Sequence, residues 1–351
     1  MRKTMLAAVY HGPQDLRVEQ YPIPEIGPGE ALMKVLSTGI CGTDLRILNG
    51  THRKYPAGTI RIPGHEAVGE IVGVGEELKG GQIGQRIFVA PNMGCGHCRQ
   101  CISGNNNLCE NYQAIGITLD GSFAEYMRIP SAAILQGNLI PIDERLDAAV
   151  AALIEPFACV VRGQDVLCIR PGENVLVIGA GPIGVMHMLL ARLRGARRVF
   201  VSETIPERAA QALQLGADMV VNPTIDDLPA IITRETNGNG ADAIVVAAPS
   251  HAAQETALEL AAYQGRINLF AGLPKDKPTI NFNSNLVHYK ELLITGTTAC
   301  STYDCQRSAE IISSGRIDLS KVVGTRFPLH KAKEAFKATA EGKALKVILQ
   351  P

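Results

Sequence analysis

The run Asn174-Val-Leu-Val-Ile178 passes without a break into Gly179-Ala-Gly181-Pro182-Ile183-Gly184, and apolar residues continue through Val185–Leu193. A short continuous apolar run bounded by glycine reads as a strand of a parallel sheet, and the stretch after it as a helix. Each glycine of Gly-x-Gly-x-x-Gly has its own reason. The first permits a tight turn, the second lets a pyrophosphate approach the backbone, and the third lets helix pack against strand. The helix N-terminus supplies unpaired N–H groups and the positive dipole end for phosphate. Glu203 follows Gly184 by nineteen positions, at the end of the next strand-like run, Arg198–Ser202. A carboxylate there accepts hydrogen bonds from adenosine ribose hydroxyls and repels a 2′-phosphate, so the spacing predicts NAD rather than NADP. Arg208, just beyond, could soften that preference. The candidate dinucleotide contacts are therefore Gly179, Gly181, Pro182, Ile183, Gly184, Glu203 and Arg208.

Strand-like and helix-like runs go on alternating through Met219–Val221, Ala243–Ala247, Ala252–Tyr263, Arg266–Phe270 and Leu292–Thr295. That alternation predicts a doubly wound parallel sheet over residues 156–298. The first third has a different texture. Short β-branched runs (Ala31–Leu36, Val68–Val74, Arg86–Ala90, Phe123–Ile129) are separated by Gly27-Pro28-Gly29, Pro63-Gly64 and Gly80-Gly81, which reads as an irregular β-rich domain. Asp147–Val161 is alanine-rich and reads as helix, and Leu345–Leu349 as a final strand. With 351 residues the chain has room for two domains. Lys plus Arg equals Asp plus Glu, 34 each, so net charge gives no reason to expect nucleic acid or an anionic membrane as partner. The apolar run Met5–Tyr10 is too short for a signal-peptide core, and no run is long enough to cross a bilayer.

Four of the nine cysteines fall within fifteen residues, as Cys95-x2-Cys98-x2-Cys101-x7-Cys109. Without a secretory signal, metal is a better reading of such a cluster than disulfides. Four thiolates fit a closed tetrahedral zinc site that holds a loop and does no chemistry. An iron–sulfur cluster and a pair of disulfides are the competing readings.

Three short segments hold further metal donors: Gly39-Ile-Cys41-Gly-Thr43-Asp44, Gly64-His65-Glu66 and Leu153-Ile-Glu155-Pro156. Each alone is ambiguous. Taken with the cysteine run and the glycine pattern, in this order over the whole chain, they resemble the zinc-containing medium-chain alcohol/polyol dehydrogenase family. The resemblance is to its sorbitol, threonine and galactitol-phosphate dehydrogenase branch. It implies an α/β fold in which a GroES-like β-rich catalytic domain (1–155 with 299–351) encloses a Rossmann domain (156–298), with the active site in the cleft between. It implies two zinc ions per chain and NAD. Cys41 and His65 match the two constant ligands of the catalytic zinc. Glu155 matches the third, where typical alcohol dehydrogenases carry cysteine. Glu66 matches a carboxylate that joins or leaves the metal, and Asp44 the partner that fixes the His65 ring. Cys159, four residues on, reads as a buried helix cysteine.

The chemistry implied is oxidation of a zinc-polarised hydroxyl, with Thr43 taking its proton and the nicotinamide its hydride. There is one departure. Relatives carry a relay histidine five positions after the zinc cysteine, and here Arg46 stands there, which does not titrate near neutral pH. Water, the ribose or His52 must replace it. The branch implies a secondary hydroxyl of a sugar-derived polyol; a sugar phosphate, a sugar acid or a threonine-type amino alcohol are the alternatives. Arg46, His52, Arg53 and Lys54 form either a solvated basic loop or a site for an acidic substrate tail. A cytoplasmic homodimer or homotetramer is the family habit. A non-catalytic relative would have no reason to keep this donor set, and a zinc-free quinone reductase would lack both cysteine groups.

Overall fold

The computed structural model describes residues 3–342 and 344–351. The chain forms two compact units, one running to Ala158 and resuming at Ala299–Pro351, the other Cys159–Thr298.

In the first unit the N-terminal apolar run is a strand, Thr4–Gly12, paired antiparallel with Asp15–Pro22. A seven-stranded sheet has the order Val323–Pro328, Lys346–Gln350, Ala31–Gly39, Glu66–Val74, Arg86–Val89, Leu139–Pro141, with Tyr126–Ile129 added on Ala31–Gly39. Alternate residues of a strand face opposite sides. Ala31, Met33 and Val35 accordingly share one core with Ala67, Ile71, Ile87 and Met127. One connection between antiparallel strands of this sheet begins and ends at candidate donors: Gly39 ends one strand just before Cys41, and Glu66, its partner, opens the next just after His65.

The second unit is a six-stranded parallel sheet in the order Met219–Val221, Arg198–Ser202, Asn174–Ile178, Ala241–Val246, Ala261–Leu269, Leu293–Gly296. Numbered along this unit that is 3-2-1-4-5-6, the doubly wound order whose ligands bind at the carboxyl ends of the strands. The central strand is apolar after Asn174, and Val175, Leu176 and Val177 are fully buried, the pattern of a parallel strand covered on both faces.

Two boundaries differ from the sequence reading. Asp147–Val161 is two helices, Ala148–Ala151 and Ile154–Asp165. Pro156 has no N–H to donate to the carbonyl one turn back, so the chain breaks and restarts with proline in the new first turn. That restart puts Glu155 at a helix start. The helix expected to reach Tyr263 stops at Leu260, because Ala261 already pairs with Ala241 in the sheet. Among the described residues no helix is long and apolar enough to cross a membrane.

Candidate functional site

Cys98 caps the short helix Arg99–Ile102, which carries Cys101, and Cys109 closes the 3-10 turn Asn106–Leu108. These turns converge the four sulfurs of Cys95, Cys98, Cys101 and Cys109 to within 4.8 Å of one another. None is in a disulfide. Cys98 N–H donates to Cys95 Sγ at 3.4 Å and Cys95 N–H to Cys109 Sγ at 3.3 Å. Backbone N–H groups of His97 and Cys98 bring the Cys95 thiol down to about 6. Backbone donors around an all-sulfur donor set fit a closed tetrahedral zinc centre.

The second donor group is built on the sheet. Cys41 is the N-cap of the helix Gly42–Leu48, and Asp44 in its first turn accepts the Cys41 N–H at 2.8 Å. The other carboxylate oxygen of Asp44 lies 3.6 Å from His65 Nδ1, which leaves Nε2 for a metal. Sγ of Cys41, a ring nitrogen of His65 and a carboxylate oxygen of Glu66 lie within 4.8 Å of one another. Burial works against a charge on His65, yet Asp44 and Cys41 outweigh it and push its pKa well above the usual range. Glu66 Oε2 is buried without a hydrogen-bond partner among the described residues. Thiol, imidazole and an unsatisfied carboxylate oxygen are a fitting donor set for zinc.

Glu155 is not part of that compact triple. Its carboxyl lies in the field of His65, Glu66 and Lys346, and burial raises its pKa. The Cys300 thiol donates to Oε1 at 3.7 Å. Thr43 Oγ1 accepts from the Arg46 guanidinium at 3.0 Å. His52 is pinned, its Nδ1 accepting the Lys54 N–H at 3.3 Å and its ring edge-on to Tyr55. Burial and then Arg46 hold its pKa at about 4, so it is neutral at physiological pH.

Two residues of the site escaped the sequence reading. Lys346, buried in the last strand, donates to Glu66 Oε1 at 2.5 Å. A lysine opening an otherwise apolar strand was the available signal. Cys300 carried no signal, because its partner lies 145 positions away.

In the second unit Gly179 has φ 102°, a conformation that disfavours any side chain. A Cβ on Gly184 would collide with the Gly179 carbonyl oxygen. Pro182 opens the helix Pro182–Leu193, with Ile183 in its first turn. Glu203 is buried and bonded to the loop itself, accepting N–H groups from Ala180 at 2.7 Å, Thr204 at 2.8 Å and Ile205 at 2.9 Å. The Arg208 guanidinium lies 3.9 Å from where a Cβ on Gly181 would be.

Residues 27–141 match the alcohol dehydrogenase GroES-like domain, and residues 182–314 match the zinc-binding dehydrogenase profile. An L-threonine 3-dehydrogenase of Caldanaerobacter subterraneus subsp. tengcongensis is 34% identical over 94% of this chain and 93% of its own length. The chain belongs to the zinc-containing medium-chain dehydrogenase family. An L-galactonate-5-dehydrogenase of Escherichia coli K12 is 33% identical over 95% of each protein. A zinc-binding dehydrogenase of Sinorhizobium meliloti 1021, bound to NADP, superposes with a TM-score of 0.92 at 30% identity over the whole of both chains. The chain thus has the family's GroES-like and Rossmann architecture and is an alcohol dehydrogenase-type oxidoreductase. Glu155 and Lys346 fall outside both matched stretches.

Proposed function

We propose that this dehydrogenase uses zinc and NAD to oxidise a secondary hydroxyl of a sugar-derived polyol to a ketone, and that the substrate carries an anionic end. The observation that carries this reading is Arg46. Its guanidinium bonds to Thr43, two residues from Cys41, so a fixed positive charge stands beside the metal donors. A guanidinium pairs best with carboxylate or phosphate. The relatives named for L-galactonate and L-threonine both point to carboxylate-bearing substrates. A threonine-type amino alcohol is the second reading, favoured by the first of those names.

Cys41, His65 and Glu155 would hold the catalytic zinc, with Glu66 able to join them, and the four cysteines would hold a structural one. When bound, the catalytic zinc supplies Lewis acidity that lowers the pKa of the substrate hydroxyl. Asp44 fixes the His65 ring so that one nitrogen faces the metal. Thr43 Oγ1 accepts from Arg46 with one lone pair; the second would accept the substrate hydroxyl's proton while its own O–H passes a proton outward. Arg46 cannot carry the proton further, and the pinned neutral His52 is a poor shuttle, so water or the cofactor ribose completes the exit. Glu203 supports NAD, its carboxylate standing at the glycine loop. We also assign a homodimer or homotetramer, and a reducing compartment such as the cytoplasm, where the thiols of two zinc donor sets stay reduced.

The test is turnover with NAD of matched pairs, an aldonic acid against its neutral alditol, with L-threonine and a sugar phosphate alongside. The acidic polyol should be preferred, and Arg46→Ala should raise its KM about tenfold or more while leaving the neutral parent nearly unchanged. Equal losses on both, or preference for the neutral polyol, would sink the anionic end. Preference for L-threonine would select the second reading.

A further inference from the structure

The turn that leads into the helix Thr302–Ser313 sits between the four-cysteine lobe and Glu155, and it is bonded to both. On the lobe side, Asn92 lies three residues before Cys95, and its Nδ2 donates to the Cys300 carbonyl at 2.7 Å. Asn106, between Cys101 and Cys109, accepts the Thr302 N–H at 3.1 Å and donates to Thr302 Oγ1 at 3.0 Å. On the other side the Cys300 thiol donates to Glu155 Oε1 at 3.7 Å and packs against Cys305 Sγ at 3.6 Å. Cys300 and Asn92 are 0% and 3% exposed, so these bonds form in a low-dielectric interior where an unmet group is costly.

Local helix chemistry accounts for part of this arrangement. Ser301 and Asp304 form a capping box, and Cys300 and Cys305 occupy the two positions of a hydrophobic staple around it. A staple asks only for two apolar side chains. It explains neither the Asn92 bond to the Cys300 carbonyl nor the direction of the thiol toward Glu155. It also leaves Ala299 unexplained, which has φ 52°, a left-handed conformation that costs a residue with a Cβ about 1 kcal/mol or more. A turn held there must be fixed from outside, and the lobe's two asparagines do so.

We propose that Asn92 and Cys300 are positioning residues through which the four-cysteine lobe sets the carboxylate of Glu155 for the catalytic metal. The proposal rests on the reading of Glu155 as a metal ligand. Asn92 fixes the Cys300 backbone, the fixed backbone aims the thiol, and the thiol occupies one oxygen of Glu155. That bond sets the direction of the carboxylate, and the lobe gains a role beyond stapling its own loop. Hydrogen-bond partners of a ligand act on metal affinity even though they never touch the ion.

The experiment uses the full-length protein with metal removed from the catalytic position by chelator dialysis and the four-cysteine site still filled, as elemental analysis verifies. Cobalt(II) is then titrated in, and its visible d–d absorption reports affinity and ligand geometry. Cys300→Ala and Asn92→Ala should each weaken cobalt binding about tenfold or more and shift the spectrum, with Glu155→Ala weakening it further. Cys300→Ser, whose hydroxyl can donate to the same oxygen, should restore most of the affinity. A purely structural role would lower the unfolding temperature of these variants and leave affinity and spectrum unchanged. If Glu155→Ala loses cobalt while Cys300→Ala and Asn92→Ala bind it as the parent does, the positioning role is overturned and the ligand reading survives. If Glu155→Ala itself binds normally, the ligand reading fails and the positioning role goes with it. Cys300→Ala decides the matter alone should Asn92→Ala fail to fold.

Discussion

Asp44 serves a helix and a candidate metal donor with one carboxylate, one oxygen taking the N–H of Cys41 and the other facing His65. Glu203 is also shared, but among backbone groups: three N–H donors from the glycine loop and the turn after the strand reach it. The sequence spacing marks Glu203 as a ribose contact; that it braces the loop was invisible, because the spacing says nothing of where a carboxylate points. The proposed ribose contact and the observed loop bonds together make the Glu203→Ala variant informative. NAD should exceed NADP in kcat/KM for the parent enzyme, despite the NADP-bound relative and the nearby Arg208. The variant should narrow that ratio about tenfold or more, by losing charge-assisted bonds to the ribose together with repulsion of a 2′-phosphate. It should also unfold at lower temperature, since three N–H groups lose their acceptor. A parent enzyme that uses both cofactors equally would end the argument.

Elements built from local pattern were the legible ones. The glycine loop, the parallel strands and the cysteine run depend on spacings of a few residues, and each forms where the sequence points. Pro156 was equally local and still went unread, because alanine content over Asp147–Val161 masked the break that a missing N–H imposes. The Lys346–Glu66 pair was beyond reach of pattern, its members standing 280 positions apart and meeting only when the last strand joins the sheet. The two metal elements differ in a testable way. The four-cysteine lobe has no regular structure beyond one short helix and a single turn, so its fold should depend on a bound ion. Cys95→Ser should lower the unfolding temperature and the zinc content together. Cys41→Ser should abolish activity with the unfolding temperature nearly retained, because the helix it caps is also held by Asp44. Elemental analysis should find two zinc ions in the parent and one in each variant; one zinc in the parent would remove a site from the account.

At the scale of the whole molecule, the parallel sheet has two edges of unlike character. One, Met219–Val221, is three residues long and is followed closely by Pro223, a combination that blocks further pairing. The other, Leu293–Gly296, contains neither lysine nor proline, and Leu293 is 52% exposed. Tyr289, in the helix just before it, is 72% exposed. An edge without protection is a template for another strand. A twofold axis would bring a second copy antiparallel against it, continuing the sheet and covering Leu293 from both sides in one self-complementary contact. Zero net charge adds no long-range repulsion to oppose that association. The expected outcome is that light scattering of the parent gives two or four times the chain mass at micromolar concentration. Leu293→Lys, a charge at the edge, should shift it toward a smaller species with circular dichroism unchanged, since the side chain already faces solvent within one chain. A parent protein that runs as a monomer would show that this edge is left open, and a Leu293→Lys variant of unaltered mass would move the contact to another surface.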